Sequence, residues 1–136
     1  SAKSKGYVFK YKGISVTMNG AAKKLIKKAG KPSKKTVKKS CAYKGKDRTY
    51  TYKDFQLKTY SKTNNGAEYV SEIRFRSNKA VTKEGIRIGS SLKAVTKKYG
   101  KAKARFGVYT FKKGSSKLQI MLNGNKVSAI RYFASK

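Results

Sequence analysis

Residues 21–39 read AAKKLIKKAGKPSKKTVKK, with nine lysines and no acid. How the two halves of this stretch are read decides the fold. The first half places Ala22, Leu25, Ile26 and Ala29 on one face at helical spacing. Gly30 follows as the C′ residue and Pro32 as the stop. The second half, SKKTVKKS, has nothing to bury except Val37 and reads as a linker or a short second helix.

Upstream, GYVFKYKGISVTMN (6–19) puts Tyr7, Phe9 and Tyr11 on one face and Lys10 and Lys12 on the other. That is strand alternation, broken at Gly13 and resumed by Ile14 and Val16, hence a hairpin. Downstream, RTYTYKDFQLKTY gives two short strands around Lys53 and Asp54, and EYVSEIRFRS a third. Asn64-Asn65-Gly66 supplies a turn between them.

The second half of the chain echoes the first. Ile86-Arg87-Ile88 precedes SSLKAVTKKYGKA, in which Leu92, Val95, Tyr99 and Gly100 match Ala22, Leu25, Ala29 and Gly30. VYTFKKGSSKLQIML echoes TYTYKDFQLKTY with a longer turn at 113–116, and VSAIRY (127–132) falls on VSEIRF (70–75). The expected fold is therefore α+β, a tandem repeat of helix plus antiparallel strands. The repeats cover about 6–78 and 79–136 in a single compact unit, with helices packed on one face of the sheet or sheets and the other face open.

Within GIRIGSSLKAVTKKYGKA, residues Gly89, Ser91, Val95, Tyr99, Gly100 and Ala102 resemble a family pattern. It belongs to the small bacterial envelope proteins related to the BamE/SmpA lipoproteins and the β-lactamase inhibitory protein. The first half keeps a weaker copy in Gly20, Leu25, Gly30 and Pro32. SCAYKGKDRTYTYKDFQLKTYS and the pair VSEIRF/VSAIRY are also similar to secreted lipoproteins of Gram-positive gut bacteria. The resemblance implies an extracytoplasmic, non-catalytic protein that acts by binding other proteins.

Charge departs from that pattern. Against 36 basic residues stand five acids, Asp47, Asp54, Glu68, Glu72 and Glu84, a net charge of +31. Soluble domains of this size usually carry a net charge of about 2–8 in magnitude. All but Arg48, Arg74, Arg76, Arg87, Arg105 and Arg131 are lysines, which act as hydrated point charges where arginine reads bases and phosphates bidentately. The pairs Lys23/Lys27, Lys24/Lys28, Lys27/Lys31, Lys93/Lys97 and Lys97/Lys101 set like charges four residues apart, each costing about 0.2–0.5 kcal/mol in a helix. With Ser90 read as N-cap, Lys93 takes the third helical position, which favours glutamate. Substitution of surface acids by lysine produces this pattern, so the chain reads as a positively supercharged variant of an envelope domain, the alternative being a natural lysine-rich secreted protein that binds acidic cell-wall polymers or mucins. Glu72 inside its strand, and Asp47 and Asp54 at turns, read as acids spared because they serve the fold.

Chemistry is sparse. Ser90-Ser91-Leu92-Lys93 matches the S-x-x-K of penicillin-interacting serine enzymes, yet no S-D-N or K-T-G accompanies it. Cys41 has no histidine to activate it and reads as a small buried apolar residue. The field repels cations, so no metal or other cofactor is expected. No apolar run approaches the roughly 18 residues that span a membrane, and SAKSKGYVF is not a signal peptide. The strand aromatics Tyr50, Tyr52, Tyr60, Tyr109, Phe111 and Tyr132 read as packing residues before stacking platforms.

The field then defines the function. Diffuse polyanion contacts are expected from Lys23, Lys24, Lys27, Lys28, Lys34, Lys35, Lys38, Lys39, Lys93, Lys97, Lys98 and Lys101. The partners are nucleic acid, acidic glycans, anionic surfaces or acidic proteins, bound with little sequence preference by a monomer held apart by its own charge. The alternative is a protein–protein or inhibitor-like module using Tyr52, Tyr60, Arg74, Arg76 and Arg131 on the sheet face. A dedicated nucleic-acid-binding protein comes third.

Overall fold

The alternating segment at the N-terminus forms the expected hairpin, β1 (Val8–Tyr11) paired antiparallel with β2 (Ile14–Thr17). Its turn residues Lys12 and Gly13 have φ of 47° and 85°, the left-handed pair whose twist suits a two-residue hairpin. The computed structural model describes residues 6–41 and 43–135; the first five residues of the stretch read as lacking a signal peptide lie outside them.

After α1 (Lys23–Ala29) come β3 (Lys34–Lys39), β4 (Lys46–Thr51), β5 (Phe55–Ser61) and β6 (Glu68–Phe75). Then follow α2 (Leu92–Tyr99), β7 (Val108–Lys113), β8 (Ser116–Asn123) and β9 (Lys126–Ala134). Seven of these strands form one antiparallel sheet in the order β3-β4-β5-β6-β9-β8-β7, and β1-β2 is a separate two-stranded ribbon.

This corrects the expected α+β tandem repeat of helix plus strands. The described residues are 48% strand and 12% helix, so the protein is mostly β. The helices span seven and eight residues, and each fully buries one side chain of its own, Leu25 in α1 and Val95 in α2. An apolar stripe that narrow caps a core; the strands build it. SKKTVKKS is neither linker nor helix; Lys34–Lys39 within it form edge strand β3, every one exposed, and Ser40 after them is buried. Ile86-Arg87-Ile88, which stands where a strand would open the second repeat, is not a strand. Thr82 and Ile86 close a turn through Thr82 N–H to Ile86 O (2.8 Å) and Ile86 N–H to Thr82 Oγ1 (2.9 Å). Because α1 ends at Ala29 and α2 at Tyr99, Lys31 and Lys101 lie beyond the helices, and their pairs are not helical neighbours.

The core lies on one face of the large sheet. In β5, Phe55, Leu57, Thr59 and Ser61 are buried while Gln56, Lys58 and Tyr60 between them are not, the period-two alternation of a half-covered sheet. Tyr50, Val70, Ile73, Phe75, Leu118, Ile120, Ile130 and Tyr132 extend the same buried surface. The ribbon covers it through Phe9, whose ring lies 5.4 Å from Phe55, 5.5 Å from Phe75 and 6.2 Å from Tyr132. Leu25 and Val95 join the same cluster.

Each helix entry is stitched to a strand by three backbone bonds. Asn19 N–H to Val70 O, Val70 N–H to Gly20 O and Ala22 N–H to Glu68 O hold α1. Gly89 N–H to Val127 O, Val127 N–H to Ser90 O and Leu92 N–H to Asn125 O hold α2. The opposite face of the sheet carries Thr49, Gln56, Lys58, Arg74, Gln119 and Arg131, none buried, and no described helix or strand packs on it.

Candidate polyanion-binding surface

The lysines expected to meet polyanions are all exposed, and the fold distributes them. Lys23, Lys24, Lys27 and Lys28 stand on the outer side of α1, since Ala22 and Leu25 fix its inner side. Lys93, Lys97 and Lys98 do the same on α2, with Lys101 just past its end. Lys34, Lys35, Lys38 and Lys39 line the sheet edge. These three groups do not converge on one site. The densest local arrangement is a shallow depression of about 580 Å³ between the first hairpin turn and α1, lined by Lys12, Lys24, Lys27 and Lys28 around Ile14. Lys12 was not among the expected contacts; only the packing of a hairpin turn against a later helix brings it to α1.

The few acids do not neutralise this field. Glu68 Oε1 accepts hydrogen bonds from Tyr50 OH and Thr59 OH, both 2.7 Å. Glu84 Oε1 accepts from Tyr99 OH at 2.7 Å, and Asp54 accepts from Ser77 OH at 2.7 Å. Glu72 faces Arg74 at 3.3 Å and Arg131 at 3.6 Å, the only ion pairs among the described residues. Asp47 is not at a turn as expected; it lies in β4 opposite Lys38 and Tyr60.

These contacts also set the tyrosines. Burial, the Glu68 hydrogen bond and the Glu68 charge push Tyr50 up, burial and Glu68 push Tyr52 up to about 12, and burial with Glu84 raises Tyr99 and Tyr132. All four therefore stay neutral hydroxyls well above neutral pH.

Of the expected sheet-face contacts, Tyr60, Arg74 and Arg131 stand on the bare face. Arg74 and Arg131 are direct register partners on β6 and β9, and Arg131 also lies 4.4 Å over the Phe133 ring. With Gln119, Met121 and Ala129 they line a depression of about 210 Å³. Tyr60 stacks on Tyr43 at 5.2 Å. Tyr52 is not on this face. It is buried on the core side, near Tyr50 and Phe55, because it continues the alternation that buries Tyr50 two residues earlier. Arg76 lies beyond the end of β6, where its guanidinium donates to the Tyr52 carbonyl. Cys41 is exposed, not buried as expected, because the loop from β3 to β4 has no core beneath it.

The serine pair has structural work. The N-cap is Ser91, not Ser90: Ser91 Oγ accepts from Ala94 N–H at 3.1 Å, and Ser90 Oγ accepts from Arg87 N–H at 3.0 Å. The third helical position is then Ala94, not Lys93. Among the described residues no three His, Cys, Asp or Glu side chains come together to hold a metal ion. No described helix is long and apolar enough to cross a membrane. No protein-family model matches the chain, and neither a curated protein nor a solved structure shows significant similarity to it.

Proposed function

We propose that this protein is a non-catalytic polycationic domain that associates with polyanions through a diffuse field, the lysines being an overlay on an extracytoplasmic binding scaffold. The observation that carries the reading is the placement of its charge. Exposed lysines occupy α1, α2 and β3, while four of the acids are occupied with hydroxyls or held between two arginines. Counterions condensed on such a surface are released when it meets a polyanion, and their release drives binding without sequence preference. The same charge opposes self-association and favours a monomer.

Titrating two unrelated DNA duplexes and heparin across a salt series tests this. Both duplexes should bind equally, and all three affinities should fall steeply as the Debye length contracts from about 10 Å at 0.1 M to about 3 Å at 1 M salt. A strong preference for one duplex, or binding that persists at 1 M salt, would overturn it.

One observation favours a second reading, recognition of a protein through the bare face. Arg74 and Arg131 are directly opposed around Glu72 beside exposed Met121, and paired arginines near the centre of a surface are typical anchors. Arg131→Ala separates the two. Diffuse binding should lose only one charge's worth of affinity, whereas a protein partner of this face should lose most of its affinity.

A further inference from the structure

β3 is the edge of the large sheet, and the ladder fixes which of its backbone groups are free. Tyr52 N–H bonds to Phe55 O at 2.9 Å. Even-numbered residues of β4 therefore bond to β5, and the odd-numbered Asp47, Thr49 and Thr51 bond toward β3. Their partners there are Lys38, Thr36 and Lys34. The N–H and C=O groups of Lys35, Val37 and Lys39 consequently point away from the sheet, and no described strand pairs with them. The side chains alternate too. Lys34 and Lys38 share the bare face with Thr49 and Asp47, while Lys35 and Lys39 share the covered side, where Lys35 Nζ sits 5.2 Å over the Tyr50 ring.

Such an edge refuses its own copy, because lysines would stand opposite lysines. It has the reverse preference for a strand bearing carboxylates. A lysine waits on each side of the sheet plane, so acidic side chains on either face of an added strand find a partner. A glycan or nucleic acid can meet the lysines but offers no backbone ladder for Lys35, Val37 and Lys39. β7, the opposite edge, has only Lys112 and Lys113, one on each side and both at its end, where β3 sets two lysines on each side along its length.

We propose that β3 is an augmentation edge for an extended acidic polypeptide segment, which adds to the sheet as a further strand. This rests on the polycation reading and narrows its partner class to polypeptide.

The probes are a synthetic peptide of alternating glutamate and threonine and, as a polyanion without a peptide backbone, heparin. On the unaltered protein, the peptide should slow amide exchange at Lys35, Val37 and Lys39, and heparin should not. Val37→Pro removes one outward N–H without changing charge, at an edge position that tolerates proline. It should lower peptide affinity about tenfold and leave heparin affinity within about twofold. If both ligands bind but exchange at these amides is unaffected, or Val37→Pro weakens neither or both equally, the edge proposal fails and the diffuse reading stands. If neither ligand binds at low salt, both fail.

Discussion

Gly45 sits between β3 and β4 with its Cα against the next strand. A Cβ there would collide with the carbonyl of Ser61 and approach the Thr63 carbonyl to 2.7 Å. Both obstacles are backbone, so neither can swing aside. Gly45→Ala should therefore destabilise the fold by about 2 kcal/mol, the usual scale of overpacking, read as a lower urea midpoint. Single residues also mark where the sequence was misleading. Cys41 looked buried because cysteine generally is, but burial depends on whether a core lies beneath, and no local pattern in SCAYKGK reports that. Ser90 and Ser91 are equally good N-cap types, and only the ladder that ties Ser90 to Val127 selects Ser91 as the cap.

At the scale of elements, the legible pieces were those that bury one face. β1, β2 and β5 show alternation, β6 and β9 show it interrupted once by a register shift, and glycine-bearing turns separate several of them, so both their type and their approximate limits could be read. β3 buries nothing; it exists because β4 offers it a ladder, and a strand held only by its neighbour leaves no hydrophobic period behind. The helices were legible as helices but not in their weight. Seven and eight residues cannot balance a seven-stranded sheet, and the similar segments in the two halves of the chain made them look like half the architecture. α1 is also the element least suited to its own sequence. It has no side-chain cap bond, no acid in its first turn, and lysine pairs four apart at Lys23/Lys27 and Lys24/Lys28. Lys23→Glu places a carboxylate at the positive end of the helix and converts one repulsive pair to an attractive one. It should raise stability by about 0.5–1 kcal/mol, measured as a higher melting temperature at low salt, with the gain shrinking as salt is added.

For the molecule as a whole, alkaline pH acts on the buried tyrosines. The tyrosine hydroxyls of Tyr50, Tyr52, Tyr99 and Tyr132 are raised in the fold above their ordinary 10.0. An unfolded chain would ionise them near that value while the folded chain holds them neutral. The stability they contribute is therefore complete below pH 10 and declines as pH rises through the range from 10 to about 12 and beyond. The lysine field is tested separately, with salt. At low salt and neutral pH the melting temperature should rise on adding sodium chloride, because screening weakens the repulsion of +31 charges. At high salt, where that relief has already been given, raising the pH above 10 should lower it monotonically. A melting temperature indifferent to salt at neutral pH would show that the lysines do not strain the fold. The charge itself was plain from composition. Its three-part placement, and the addition of Lys12 to the α1 cluster, needed the fold, because residues far apart in the chain share a surface only after packing.

The position of β9 carries a consequence for how the chain is made. It follows eight other strands in the sequence yet occupies an interior place in the sheet, between β6 and β8, and its Tyr132 is fully buried against the first strand's Phe9. During synthesis, β3 to β6 can assemble early, but β6 then waits with one side unpaired, and the β1-β2 ribbon waits with half of its resting surface missing. Closure comes only after Ala134 has left the ribosome. Until then the nascent segment is a half-sheet with an open apolar flank, the kind of species that is prone to aggregate.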